Sequence, residues 1–370
     1  MRSLTAFILA FTLVLAIVPA PQAQEKSPPE EKKGCGTTVT PRQIEVELAR
    51  KARQSTFAAP EVAPPTQTPY YLPLTIHIVR RSNGTGGFTL DKLEIAMGDL
   101  NRMWQPVGIQ FFIYGAIDYI NNDMHFNVPD VDANQDALRQ VNPVANTINV
   151  YFTDLVGLCG ESSFTNSAVQ GVLMDISCAG VATDLSTFAH EIGHYFDLYH
   201  THETAFSVEC PSGNNCSTAG DLLCDTPADP NLSGRVNNNC VYNNSGATPR
   251  SCNNVAYNPS TRNLMSYSQN NCMSEFTARQ ISKALQVLRD TANRRNLIIS
   301  GARYVDPLAS MSNADCSYNF PCHKVTKAIQ VALHGDFIFI KPGNHQASWL
   351  GGKRVTLSKW GATGVVQITP

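Results

Sequence analysis

The chain has 370 residues, 43% of them apolar and only 16% charged, with a formal net charge of −2. That length has room for two domains and that apolar content supports a real core. A near-neutral balance gives no reason to expect nucleic acid or an anionic membrane as a partner.

The N-terminus comes first in chain order. Met1-Arg2 is followed by a nearly unbroken apolar run, Leu4 to Val18, and then by Pro19-Ala20-Pro21-Gln22-Ala23. A basic start, an apolar stretch and small residues read as a signal peptide over residues 1–23. The run is about fifteen residues, too short to span a bilayer comfortably. The expectation is therefore a secreted protein with no membrane insertion after signal removal. Residues 24–68 are polar, with a charged patch Glu25 to Lys33 and prolines at Pro28-Pro29, Pro60 and Pro64-Pro65. They read as a pro-segment or linker. Eleven cysteines in an exported chain imply disulfides. By position Cys35, inside this segment, is the odd one out, and the other ten can form five bridges.

From residue 69 to 297 the patterning is that of a catalytic-sized domain. Tyr71 to Arg81 alternates like a strand. Leu90, Leu93, Met97, Leu100 and Trp104 have helical spacing, and Val107 to Tyr114 and Thr147 to Thr153 read as strands. Asp184 is a suitable N-cap for the next helix.

That helix carries His190 to His200, HEIGHYFDLYH. Residues i and i+4 share a helix face, so His190 and His194 can aim at one metal. Glu191 lies beside the first ligand, placed to polarise a bound water. His200 falls six residues after His194 and can return to the same metal only if the chain turns sharply. Asp197 sits midway, and Asp is among the few non-Gly residues that tolerate a left-handed backbone. Three imidazoles with an adjacent carboxylate suit Zn²⁺ with an open fourth position and metal-assisted hydrolysis of a peptide bond. Cysteines crowd the stretch that follows: Cys210, Cys216, Cys224, Cys240, Cys252 and Cys272. It is rich in Asn, Gly and Ser, and needs cross-links or bound ions to be ordered. Thr277 to Arg289 reads as a final helix.

With Gly220 to Ala228 (GDLLCDTPA) and Asn263 to Gln280 (NLMSYSQNNCMSEFTARQ) following in order, HEIGHYFDLYHTH resembles the pappalysin and cytophagalysin family of metzincin zinc metalloproteases. The resemblance covers about residues 69 to 297. It implies an α/β metzincin-type domain with a twisted mixed sheet and two long helices. It implies zinc on His190, His194 and His200, Glu191 as the catalytic acid–base, and Tyr267 hydrogen-bonding the intermediate. Met265 would be the Met-turn methionine beneath the site. Gly171 to Asp175, with Val172, Leu173 and Met174, resembles the edge strand that binds an extended polypeptide substrate, the alternative being a plain core strand. Asp221, Asp225 and Thr226 match positions near a calcium site in relatives; loop-capping turns are the alternative. The resemblance also suggests a Cys216–Cys252 disulfide. Related zymogens use an upstream cysteine as a latency ligand, which makes Cys35 a candidate for that role beside a surface thiol or an unrecognised disulfide partner. Where relatives that cut before Arg or Lys carry an acid after the Met-turn, this chain has Gln269-Asn270-Asn271, which argues against a strong basic preference.

Residues 298–370 differ in character. Tyr304 to Pro307 and then Lys324 to Pro342 resemble the entry into a right-handed parallel β-helix. A helix Val325 to Leu333 would cap strands Asp336 to Ile340, Arg354 to Ser358 and Val365 to Thr369. One or two rungs bury little by themselves. Either the chain is a truncated product or this module packs on something else. The leading expectation is a secreted zinc endopeptidase made as a zymogen. The alternatives are a non-catalytic adhesive or glycan-binding surface protein on the same scaffold, and a metallohydrolase of small amides.

Overall fold

The computed structural model describes residues 34–54, 69–243, 250–252, 255–299, 301–310, 314–348, 353–360 and 364–369. The expected signal peptide (1–23) and residues 24–33 and 55–68 of the expected pro-segment lie outside the described residues.

Chain order begins with helix α1, Pro41–Gln54, and strand β1, Tyr70–Arg80. Helix α2, Leu90–Trp104, is capped by Thr89, whose side chain accepts from Lys92 N. Strands β2, Ile109–Ile113, and β3, Asp118–Asn121, follow, then α3, Asp123–Phe126, β4, Asn127–Val128, and α4, Asp132–Arg139. Next come β5, Ile148–Leu155, β6, Gly160–Ser162, β7, Val172–Asp175, and helix α5, Thr187–Tyr195.

These strands form a seven-stranded sheet in the order β2-β1-β5-β7-β6, with β3 also pairing β1 and β4 pairing β5. All the pairings are parallel except β6 on β7. Both faces of β1 are covered, because parallel sheets carry elements on each side. Leu72, Leu74, Ile76 and Ile78 face the core shared with α2 and α5. The opposite face carries Thr75 and His77, which are buried and satisfied: Thr75 Oγ1 pairs with Thr147 Oγ1 at 2.8 Å, and His77 lies 2.8 Å from Asp118 and 3.0 Å from Asn149. The apolar–polar alternation of the sequence survives, but here it separates two covered layers rather than core from solvent.

The topology corrects one expectation. Val172, Leu173 and Met174 do not form an edge. They lie on β7, paired to β5 on one side and β6 on the other, and all are fully buried. The edge strand is β6, a three-residue segment too short to give a periodic signal.

The long cysteine-rich stretch after α5 holds only the two-residue strands β8, Arg250–Ser251, and β9, Val255–Ala256, among its described residues. Disulfides Cys210–Cys252, Cys216–Cys224 and Cys240–Cys272 tie it together. The expected Cys216–Cys252 bridge is therefore wrong. Cys216 meets Cys224 within a tight turn, their Cα atoms 4.9 Å apart, and Cys252 reaches back to Cys210 instead. Cys159–Cys178 and Cys316–Cys322 complete five bridges, and Cys35 is free. Helix α6, Ala278–Asp290, starts with a capping box between Thr277 and Gln280 and leads into α7, Ala292–Arg295.

The C-terminal stretch comprises β10, Ala302–Val305, helix α8, Val325–Val331, and β11, Phe337–Ile340. Strands β12, Gly343–Gln346, β13, Thr356–Lys359, and β14, Val366–Thr369, close it. β10, β11 and β13 stack in parallel, as do β12 and β14, giving two faces of a short β-helix-like coil. Val325, Ala328 and Ile329 of α8 cover its interior beside Val305, Ile338 and Ile340. The coil also packs outward. Phe339 stacks on Tyr71 with ring centroids 4.2 Å apart and meets Phe112 edge-on at 5.1 Å. Among the described residues no helix is long and apolar enough to cross a membrane.

Candidate metal centre

Every residue of α5 is buried. Its first turn is satisfied from outside: Asp184 accepts from Thr187 N at 3.0 Å and from Thr187 Oγ1 at 2.7 Å. The helix thus begins at Thr187, two residues beyond the start expected from Asp184, with Asp184 still serving its N–H groups. From α2, Trp104 donates to Ala189 O at 3.2 Å, and Arg294, itself fully buried, donates to Tyr195 O at 2.7 Å at the far end. The helix stops where Asp197 adopts φ 56°, in the left-handed region, and Leu198 N returns to Gly193 O at 3.0 Å. That turn swings His200 back.

Three imidazoles converge as a result. The Nε2 atoms of His190, His194 and His200 lie 3.1 Å, 3.2 Å and 3.0 Å from one another. Two of the rings are oriented from behind. His190 Nδ1 meets Leu264 O at 2.6 Å and His194 Nδ1 meets Leu198 O at 2.7 Å. Backbone carbonyls only accept, so those Nδ1 atoms carry the protons and the Nε2 lone pairs point inward. Burial holds His190 down to about 4, and His194 and His200 well below the usual imidazole range, so all three stay neutral. Three bare lone pairs facing one another call for a cation. Nitrogens about 2.05 Å from a tetrahedral zinc ion would stand ~3.3 Å apart, close to the spacing here.

Glu191 lies beside this trio. Burial pushes its carboxyl up to about 8, repulsion from Glu161 adds to that, and hydrogen bonds from Cys35 and Thr37 oppose it. Its Oε1 is buried without a hydrogen-bond partner among the described residues. A divalent cation in the centre would favour the ionised form. Met265 is fully buried; a Cβ on Gly193 would fall 2.4 Å from its Sδ, so the methionine sits hard against α5. The Tyr267 ring lies 4.7 Å from His200 and 6.2 Å from His190.

Cys35 comes to the same place. Its Sγ and the three imidazole nitrogens all lie within 4.8 Å of one another. The segment around it runs along β6: Gly36 N donates to Gly160 O at 2.9 Å, and Cys159 N donates to Gly34 O at 3.2 Å. Tyr267 Oη donates to Cys35 O at 2.6 Å, and Thr37 Oγ1 donates to Glu191 at 3.2 Å. The expected calcium residues separate. Thr226 Oγ1 donates to Asp221 at 2.8 Å, but Asp225 turns away to accept from Thr277 Oγ1 and Arg279 N at the start of α6.

Sequence reasoning missed several neighbours. Gly160 is one, since a Cβ there would fall 2.6 Å from Glu191 Cγ. Thr37 is another. His202, whose ring stacks on His200 at 4.9 Å, follows directly on the motif and was available to notice. Glu209 is buried against Gly220, beside Asp221, and no local pattern marks it.

Residues 162–289 match the Peptidase_M43 family profile, described as pregnancy-associated plasma protein-A. An extracellular metalloprotease of Verticillium alfalfae is 27% identical over 233 residues, which is 58% of this chain and 75% of that protein. One from Sordaria macrospora is 27% identical over 291 residues, 73% of this chain and 93% of that one. Among solved structures, mature mirolysin of Tannerella forsythia in complex with a cleaved peptide aligns with a TM-score of 0.46 at 18% identity, covering 64% of this chain and 97% of that one.

Proposed function

This chain belongs to the pappalysin (Peptidase_M43) metalloproteases, and from that premise we propose that it is a secreted zinc endopeptidase of metzincin type, made as a latent precursor. The observation that carries the reading is the inward convergence of three neutral imidazole nitrogens beside a buried carboxylate. His190, His194 and His200 would hold the ion. Zinc held by these residues would supply Lewis-acid chemistry, activating a water and polarising the scissile carbonyl. Glu191 takes the proton of the attacking water and hands it to the leaving amine. The Tyr267 hydroxyl donates a hydrogen bond to the oxygen that gains charge. Strand β6 offers main-chain groups to an extended polypeptide.

In the latent chain, residues 34–37 fill that position. The Cys35 thiol, within 4.8 Å of the imidazole nitrogens, would serve as a further ligand, while Thr37 holds Glu191 and Tyr267 donates to the Cys35 carbonyl. A calcium ion at Asp221 and Thr226, with Glu209 as a further carboxylate, would brace the loop behind the site. The neutral Gln269-Asn270-Asn271 stretch disfavours a basic preference. The test is casein hydrolysis by the activated chain with and without a zinc chelator, beside Glu191→Ala. Chelation should abolish cleavage, and Glu191→Ala should lower it about 1,000-fold or more with zinc content unchanged. Cleavage that survives either treatment rejects this reading.

A further inference from the structure

Helix α1 docks with the wrong face for an ordinary amphipathic helix. Gln43 and Glu47 are buried, whereas Leu48 is 54% exposed. A surface helix usually buries its apolar stripe. The buried stripe of α1 instead meets polar groups of the catalytic domain. Gln43 Nε2 donates to Tyr199 Oη at 2.8 Å, and Tyr199 Oη donates to Glu47 at 3.1 Å. Arg50 spans Glu47 at 3.0 Å and Asp197 at 2.5 Å, and Lys283 Nζ lies 3.4 Å from Glu47. Lys51 donates to the carbonyls of Ser217 and Leu222 at 2.6 Å and 3.2 Å. Four charges form a neutral group, two from α1 and two from the domain. The Asp197 and Glu47 side chains are 0% and 3% exposed, so the pairs are desolvated. Asp197 is also held by Thr165, through its N–H at 2.9 Å and its hydroxyl at 2.7 Å. Asp197 is thus anchored without α1.

We propose that α1 is a second latch, separate from Cys35, seated by charge complementarity in a socket formed by Asp197, Lys283 and Tyr199. Because the buried stripe of α1 is polar, undocking returns these charges to water. Affinity then rests on the ion pairs and falls as salt rises. A cut between α1 and β1, in residues 55–68, does not by itself open the cleft; the fragment stays seated until it is digested or screened away. This rests on reading residues 24–68 as a pro-segment.

The experiment places a recognition site for an unrelated, site-specific protease within residues 55–68 of the full chain, alone and with Cys35→Ala. After cutting, retention of the α1 fragment is read by size exclusion and mass spectrometry at about 50 mM and about 1 M salt. The fragment should co-elute at low salt in both chains and leave at high salt from the Cys35→Ala chain. Glu47→Gln with Arg50→Met should weaken retention about 100-fold. Fragment loss at low salt from the Cys35→Ala chain, or equal retention in the double variant, overturns the latch. Casein cleavage is measured in parallel after complete release. A freed domain that cuts nothing rejects the protease reading and leaves the retention result standing.

Discussion

Three imidazole lone pairs that meet at about 3 Å repel one another unless a positive charge lies between them. The cost is accepted because the rings are locked from behind by Leu264 and Leu198 carbonyls, which fix the protonated nitrogen on His190 and His194. The same crowding governs Glu191. Gly160 leaves room for its side chain, and a methyl at that position would displace the carboxylate. Gly160→Ala should therefore lower kcat on casein about 100-fold, the cost of a misplacement near 1 Å, with zinc content unchanged. A kcat within about twofold of the parent, well below the 100-fold predicted from misplacement, would show that Glu191 is not confined there.

At the scale of elements, the stretch between α5 and α6 is the least regular part of the described catalytic region. Three disulfides hold it, and Asp225 and Thr277 tie its end to the start of α6. Its weak point is the pair Glu209 and Asp221. Burial pushes both carboxyls up to about 7; the Asp221 charge adds to the rise at Glu209, and Asp225 to that at Asp221. Asp221 Oδ2 and Glu209 Oε1 have no hydrogen-bond partner among the described residues. Unfolded carboxyls ionise near ~4, so between about pH 4 and 7 the folded state holds more protons and stability falls as pH rises. A calcium ion held by the ionised pair, as proposed above, would offset that loss. In the zinc-loaded chain the thermal midpoint should fall from about pH 5 to about pH 8. Calcium at about 1 mM should raise it at the upper pH and leave it unchanged at the lower one. No calcium effect at the upper pH would remove the ion from this loop.

At the scale of the whole chain, the β-helix-like coil and the catalytic region share the aromatic seam of Tyr71 and Phe112 with Tyr304, Phe337 and Phe339. Through this seam the small module packs on its neighbour. Ending the chain after Leu297 would re-expose both Tyr71 and Phe112, at ~1.5–3 kcal/mol each, and should lower the thermal midpoint on the order of 5–10 °C. An unchanged midpoint would make the coil a mere appendage. Much of this architecture was readable beforehand. α2 falls on Leu90–Trp104 as its apolar spacing required, and β1, α6 and α8 fall within a few residues of their expected bounds. The convergence of His190, His194 and His200 was readable too, because its geometry is local. Two imidazoles one helical turn apart and a third brought back by a left-handed residue are settled within eleven positions. What the sequence could not show are contacts between distant residues. β6 is the edge because β7 is already paired on both sides, and Cys252 meets Cys210 rather than Cys216. Thr37 rests on Glu191 across 154 positions, and Arg50 on Asp197 across 147. Such pairings depend on which surfaces come together once the chain has closed, and short strands or single side chains carry no periodic signal that could announce them. The sequence by itself determined which imidazoles meet; the tertiary structure alone decided what covers them.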